Sequence, residues 1–399
     1  MKYIRVIVAS AGLMVLCSCV VQNSIRTSLP TDVPLIGKIA RGDNLYLSLD
    51  LEGGEKLLFM VDTGCPQTIL DKSLEPKLGE CLGRKTIHYG LYGNSVTRAY
   101  AAPRLYLGNA QLLTGRRVFT DNLRERKIIG PAVAGILGMD CLRHYCIQLD
   151  FTAMRMRFLD PDHHGDEDLG NAYPLTMFFN CVFTCTDLSG TGSMWFRIDS
   201  GFIGGIDFIL KTRPFQRELN KQTPMLLSES ETATGRLERL ALFSKVSFGG
   251  VPYTNLAFMV KKGMAWPVNN NCVGLGFLSR NLVTFNFPKR IMYLKPVTTP
   301  LFAQGGLIMF KATECLMSLE KKGQLPGWLK GETGIFRWPN GMDFDGKYPV
   351  SRTIDGQKHG NASGYHYIVV QSSSDSVWKL QRAWRTDANG RLIEEYSVQ

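Results

Sequence analysis

The chain has 399 residues, 44% of them hydrophobic and 20% charged, which exceeds one typical domain and is ordinary for folded globular protein. Its formal charge of +11 is scattered, and the densest basic stretch, Arg116 to Lys127, is broken by Asp121 and Glu125. With no RNA- or DNA-binding motif either, that charge gives no ground for a nucleic-acid partner, and the lack of any Cys-x-x-Cys pair removes support for structural zinc or thioredoxin chemistry.

Residues 1–19 read as a leader rather than as part of the fold. Lys2 and Arg5 make a basic start, Val6 to Leu16 an apolar core, and Leu16-Cys17-Ser18-Cys19 the exit. The apolar run is short for a membrane-spanning helix. Its end resembles a bacterial lipobox, which implies cleavage before Cys19, a lipid on that thiol, and a place in the bacterial cell envelope. Residues 20–34 are then expected to be a tether. Eight cysteines follow Cys19, and their connectivity is not readable from spacing.

From residue 35 the pattern turns to strands. Asn44 to Leu51 alternates, Glu52-Gly53-Gly54 marks a turn, and Lys56 to Val61 leads into Asp62-Thr63-Gly64-Cys65. Two alternating runs around a glycine turn predict a hairpin. Arg104 to Gly108 predicts a further strand, and a short helix is expected near Met139–His144. His163-His164, inside a run of acidic residues, is read as part of a linker between lobes. Leu175 to Thr186, a turn at Leu188–Ser193 and Met194 to Ile198 repeat the hairpin and lead into Asp199-Ser200-Gly201-Phe202. Lys245 to Gly250 corresponds to Arg104–Gly108.

Beyond Pro300 the pattern changes. Lys311 to Lys322 predicts an amphipathic helix with Ala312, Cys315, Leu316 and Leu319 on one face. Strands are expected at Tyr348–Ile354, Gly364–Gln371, Trp378–Arg385 and Arg391–Tyr396. Residues 305–399 thus form an accessory α+β domain, whose aromatic residues are taken as core.

The two Asp-Thr/Ser-Gly stretches are landmarks of an internal duplication. Ile136-Leu137-Gly138 follows Asp62, and Gly274-Leu275-Gly276 follows Asp199, with the final glycine 76 and 77 residues beyond its aspartate. Ile147 to Pro161 and Val283 to Pro296 also correspond. Landmarks recurring at a nearly fixed offset indicate two copies of one lobe, here 35–162 and 163–298.

This constellation resembles the pepsin-like and retropepsin-like aspartic proteases over roughly residues 35–298. The resemblance implies a mainly β, bilobal acid-protease fold with pseudo-twofold symmetry and one carboxylate from each lobe. The implied activity is aspartic endopeptidase, acting on a peptide or protein substrate with no cofactor and no metal, in a chain expected to be monomeric. Asp62 and Asp199 would share one proton, the ionised carboxylate activating water and the protonated one polarising the scissile carbonyl. Thr63 and Ser200 match the family's hydroxyls beneath the aspartates, and Gly64 and Gly201 keep the loops tight. The resemblance also implies that the distal glycines, Gly138 and Gly276, pass close to the aspartate loops, where backbone meets backbone. Candidates for a closing flap are Tyr89, Tyr92 and Gly93 in lobe one and Thr234 and Gly235 in lobe two.

The chain departs from the family pattern after each glycine. Ser, Thr or Ala is usual there, and Cys65 and Phe202 stand in its place. A hydroxyl would donate to the aspartate, a thiol donates weakly, and a phenyl ring donates nothing. The alternative expectation is therefore a peptide-binding envelope lipoprotein with the same fold and weak or lost catalysis.

Overall fold

The computed structural model describes residues 29, 32–36, 44–88, 94–123, 133–162, 168–202, 208–210, 225–231, 237–261, 271–297, 318–319, 321–324, 336–337, 347–353, 364–371, 378–386 and 391–397. The protein is mainly β, with two large sheets and a third of five strands. The strands of the first repeat are β1 Asp32–Pro34, β2 Tyr46–Leu51, β3 Lys56–Val61, β4 Ile69–Asp71, β5 Gly83–His88 and β6 Asn94–Ala101. They continue with β7 Leu105–Leu107, β8 Ala110–Gln111, β9 Arg117–Asp121, β10 Val133–Leu137, β11 Cys146–Asp150 and β12 Arg155–Leu159. The second repeat supplies β13 Asn171–Phe178, β14 Cys181–Asp187, β15 Ser193–Ile198, β16 Phe208–Leu210 and β17 Met225–Glu231. After them come β18 Leu237–Phe248, β19 Val251–Lys261, β20 Asn271–Val273, β21 Asn281–Asn286 and β22 Ile291–Pro296. The last five are β23 Phe336–Arg337, β24 Lys347–Thr353, β25 Gly364–Gln371, β26 Trp378–Thr386 and β27 Leu392–Ser397.

The chain divides into two compact units, one containing Leu45–Cys181 with Val283–Tyr293, the other Val182–Leu282 with Leu294–Gln399. In the first unit a sheet runs β5-β6-β9-β4-β10-β3-β2, with β7 and β8 beyond β2. In the second the order is β17-β18-β19-β16-β20-β15-β14. These are the same seven positions. Directions match as well: β10 is parallel to β3 and antiparallel to β4, as β20 is parallel to β15 and antiparallel to β16. The strand pairs β4–β9 and β16–β19 are both parallel. A repeated strand order with repeated directions is what a duplicated sequence must produce if both copies fold alike.

Local chemistry accounts for the strands. In β2 every second residue is buried, so Leu47, Leu49 and Leu51 form its inner face. β3 lies between β2 and β10, and its end, Phe59-Met60-Val61, is buried throughout. The turn between β2 and β3 has Gly53 and Gly54 at φ of 111° and 85°, a backbone that favours glycine. The first core is rich in Leu, Val and Ile. The second is aromatic: Phe208 stacks on Phe258 with centroids 4.9 Å apart, and Phe196, Phe248 and Phe277 pack around Phe208.

The first unit also contains a second set of paired strands, in the order β1-β12-β11-β21-β22-β13, to which residues Val283–Tyr293 of the second repeat contribute. β11 and β21 run antiparallel, with Cys146 opposite Asn286 and Leu149 opposite Val283. The repeat extends to its turns. Met154 and Arg290 have φ of 55° and 57°, and their carbonyls accept from Leu35 and Leu175 at 2.9 and 2.7 Å.

Several expectations need correction. β1 falls inside the expected tether of residues 20–34, yet it pairs with β12, and Val33 is buried. The single run Leu175–Thr186 is two strands, parted at Phe179 and Asn180, both at positive φ. The units do not part at residue 162, because β13 belongs to the first and Val283–Tyr293 returns to it. In the C-terminal segment the expected strands are present as β24 to β27, joined by β23 into an antiparallel five-stranded sheet. Most of the expected helix Lys311–Lys322 lies outside the described residues, as do Cys19 and the linker histidines.

Candidate functional site

Each aspartate stands at the end of a central strand, and each unit holds its own by the same set of bonds. In the first unit the N–H of Asp62 donates to the carbonyl of Leu137 at 3.1 Å, extending the parallel pairing of β3 with β10 by one residue. The N–H of Gly64 donates to Asp62 Oδ1 at 2.7 Å, and that of Cys65 to the carbonyl of Asp62 at 3.1 Å. The turn thus points one donor to the Asp62 carboxylate and the next to its main-chain carbonyl. Thr63 is fully buried and Asp62 half-buried.

The second unit repeats this bond for bond. Asp199 N–H donates to Val273 O at 3.0 Å, Gly201 N–H to Asp199 Oδ1 at 3.1 Å, and Phe202 N–H to Asp199 O at 3.2 Å. Ser200 is fully buried, and Asp199, Gly201 and Phe202 are half-buried. Neither loop depends on the side chain at the fourth position for its backbone shape, so Cys65 and Phe202 are accommodated. The Cys65 thiol donates to the carbonyl of Gln67 at 3.0 Å, and the residue packs against the buried cluster of Met60, Ile69, Leu123, Val133 and Ile136.

The element after each loop locks it from below. Met139 N–H donates to Cys65 O at 2.8 Å, and Leu275 N–H to Phe202 O at 2.9 Å. Each is the first residue of a short helix, Met139–Leu142 or Leu275–Leu278, whose N-caps are Gly138 and Gly274. Both caps are extended, at φ/ψ of −96°/−176° and −94°/177°. Gly274 is therefore the counterpart of Gly138, and the pairing of Gly138 with Gly276 is corrected: Gly276 lies one residue inside its helix. A Cβ on Gly138 would come within 2.6 Å of the Gln67 carbonyl carbon and oxygen and 2.8 Å of Cys65 O, so glycine is required for backbone to pass backbone there.

Two buried residues that the sequence reading did not single out complete the first loop. The Thr68 hydroxyl donates to Asp140 Oδ1 at 2.7 Å and accepts from Gly138 N–H at 3.3 Å. Thr68 is 0% and Asp140 5% exposed. Burial pushes the Asp140 carboxyl above its usual range, opposed by the bond from Thr68. No spacing rule announces this pair; only the approach of Gly138 to the loop brings it together.

The flap candidates Tyr89, Tyr92, Gly93, Thr234 and Gly235 lie outside the described residues. Their flanking strands are described: β5 and β6 pair up to His88 and Asn94, and β17 and β18 up to Glu231 and Leu237. Both candidate groups thus occupy the connection of the same hairpin in the two repeats. Among the described residues no cluster of three His, Cys, Asp or Glu side chains is placed to hold a metal ion. No protein-family model matches the chain, and no curated protein matches it.

Proposed function

We propose that the chain is an aspartic endopeptidase of the two-lobed acid-protease type, in which Asp62 and Asp199 act as one acid–base pair on a peptide substrate. The observation that carries this reading is the equality of the two loops, each presenting a half-buried carboxylate to which the glycine two residues on donates its N–H. A donor to a carboxylate favours its ionised form and fixes its plane. Two such groups sharing one proton supply what amide hydrolysis needs. The ionised carboxylate takes a proton from water, the hydroxide attacks the carbonyl, and the protonated partner donates to the developing oxyanion. The proton then passes to the leaving nitrogen, with no covalent intermediate. Which aspartate holds the proton is a property of the pair.

A second reading rests on Phe202, whose ring offers Asp199 no hydroxyl: a peptide-binding protein that keeps the two aspartate loops and cleaves slowly or not at all. Digestion of a peptide library from pH 3 to 8, with and without a pepstatin-type inhibitor, separates the two. Inhibitor-sensitive cleavage supports the peptidase. Binding of peptides without cleavage at any pH supports the second reading. The lipid anchor at Cys19 and the envelope location belong to the same proposal and rest on the leader alone.

A further inference from the structure

We propose that Asp140 is a positioning residue for Asp62, acting through Thr68, and that it makes the two aspartates of the proposed pair unequal in rigidity. The inference rests on the peptidase reading for its effect on rate, but not for its structural content. The chain of contacts is short. Asp62 N–H is held by Leu137 O, and the next residue, Gly138, donates to Thr68 Oγ1. Thr68 has one hydroxyl hydrogen, and it goes to Asp140 Oδ1 at 2.7 Å. With its hydrogen so committed, the Thr68 oxygen turns its lone pairs to Gly138. Asp140 therefore sets the direction of the hydroxyl on which the strand under Asp62 is pinned.

The Asp140 side chain itself has little freedom. Gly115 closes over it so tightly that an added Cβ would stand 2.8 Å from Oδ2. Burial raises its affinity for a proton, and the acceptor Oδ1 is present in either protonation state. Among the described residues the second repeat has no counterpart of this pair. By strand register, Ile69 opposite Ile136 matches Ile209 opposite Cys272, so Thr68 corresponds to Phe208, and Asp140 corresponds to Gly276; neither counterpart carries a polar side chain. The two loops share their backbone bonds, and among the described residues the buried side-chain brace stands behind the first alone.

The test uses the full chain with Asp140→Asn, Asp140→Ala and Thr68→Val. An amide oxygen accepts from Thr68 as a carboxylate does, so Asp140→Asn should keep kcat within about threefold of wild type. Asp140→Ala and Thr68→Val should lower kcat by about tenfold or more with KM nearly unchanged, as a misplaced group at the reacting centre does. Hydrogen exchange at the Gly138 amide, measured on the same proteins, gives a readout independent of cleavage. It should quicken in Asp140→Ala and Thr68→Val but not in Asp140→Asn. If Asp140→Ala fails to fold, the nearly isosteric Thr68→Val carries both measurements. Unchanged Gly138 exchange in folded Thr68→Val overturns the proposal, as does an Asp140→Asn variant no better than Asp140→Ala. If wild type cleaves nothing, the peptidase reading falls, and the exchange pattern alone decides whether Asp140 braces the loop.

Discussion

Gln148 and Thr284 face one another across β11 and β21, with Gln148 Nε2 donating to Thr284 Oγ1 at 3.0 Å, and 136 positions separate them. The same offset relates Gly138 to Gly274 and Met154 to Arg290, so each member of the pair is the other's counterpart in the duplication. Antiparallel strands in which a residue meets its own counterpart have a local twofold running through that pair. The two residues differ so that one can donate and the other accept. Gln148 Oε1 in turn accepts from Arg157 at 2.9 Å.

The first prediction concerns the aspartates. Asp62→Asn and Asp199→Asn should each abolish peptide cleavage, and the double variant should be little worse than either, because the residues work as a unit. Cleavage rates and thermal melts of the three proteins make the check. Retained activity after either single replacement would show that the carboxylates do not act as a pair.

Phe202 should tune the pH response. Its backbone already serves the loop, donating to Asp199 O and accepting from Leu275, so replacing the ring leaves those bonds in place. Phe202→Thr adds a hydroxyl beside Asp199 and should move the acidic limb of the pH–rate profile to lower pH. A folded, active variant with the wild-type profile refutes this role.

Gly138→Ala should be costly although its φ is not one that requires glycine. The new methyl meets backbone atoms of Cys65 and Gln67, which cannot rotate away. A loss of roughly 1–3 kcal/mol or more is expected from such overpacking, measured as the denaturant midpoint. A midpoint equal to wild type would mean that the loop yields freely.

Asp140 makes stability depend on pH. Its carboxyl binds a proton more tightly when folded than when unfolded. Its contribution is therefore fully present below the ordinary carboxylate range and is lost as pH rises through the folded value. Asp140→Asn has no such loss. Its melting temperature relative to wild type should rise as pH is raised from about 4 towards neutrality. A difference independent of pH would contradict the burial effect.

The anchor is tested separately. Wild type should partition into detergent, and Cys19→Ala should fail to mature normally. Identical processing and partition of both proteins would remove the lipid.

Much of this was legible in sequence because Asp-Thr-Gly and Asp-Ser-Gly combine a buried strand with a turn, and both signals are local. The hairpin turn at Gly53-Gly54 was legible for the same reason. The alignment of the distal element slipped because Gly274-Leu275-Gly276 offers two glycines, and only the carbonyl of Phe202 accepting from Leu275 decides between them. The turn at Phe179-Asn180 was hidden because its positive φ falls on Phe and Asn, without glycine or proline to mark it. β1 was hidden because three residues carry too little alternation to be read as a strand. Thr68 and Asp140 lie 72 positions apart, and polar residues in unremarkable local contexts carry no sign of a partner at that distance.

The return of Val283–Tyr293 to the first unit fixes an order of events during synthesis. Until β21 has emerged, β11 lacks its neighbour on one side, and the first unit cannot be completed by its own repeat. Closing that pairing joins residues well over one hundred positions apart, a slow step in folding. Meanwhile an unpaired, apolar strand edge stands open to other chains. A fragment ending before β21 should therefore be recovered as aggregate rather than as an independent half.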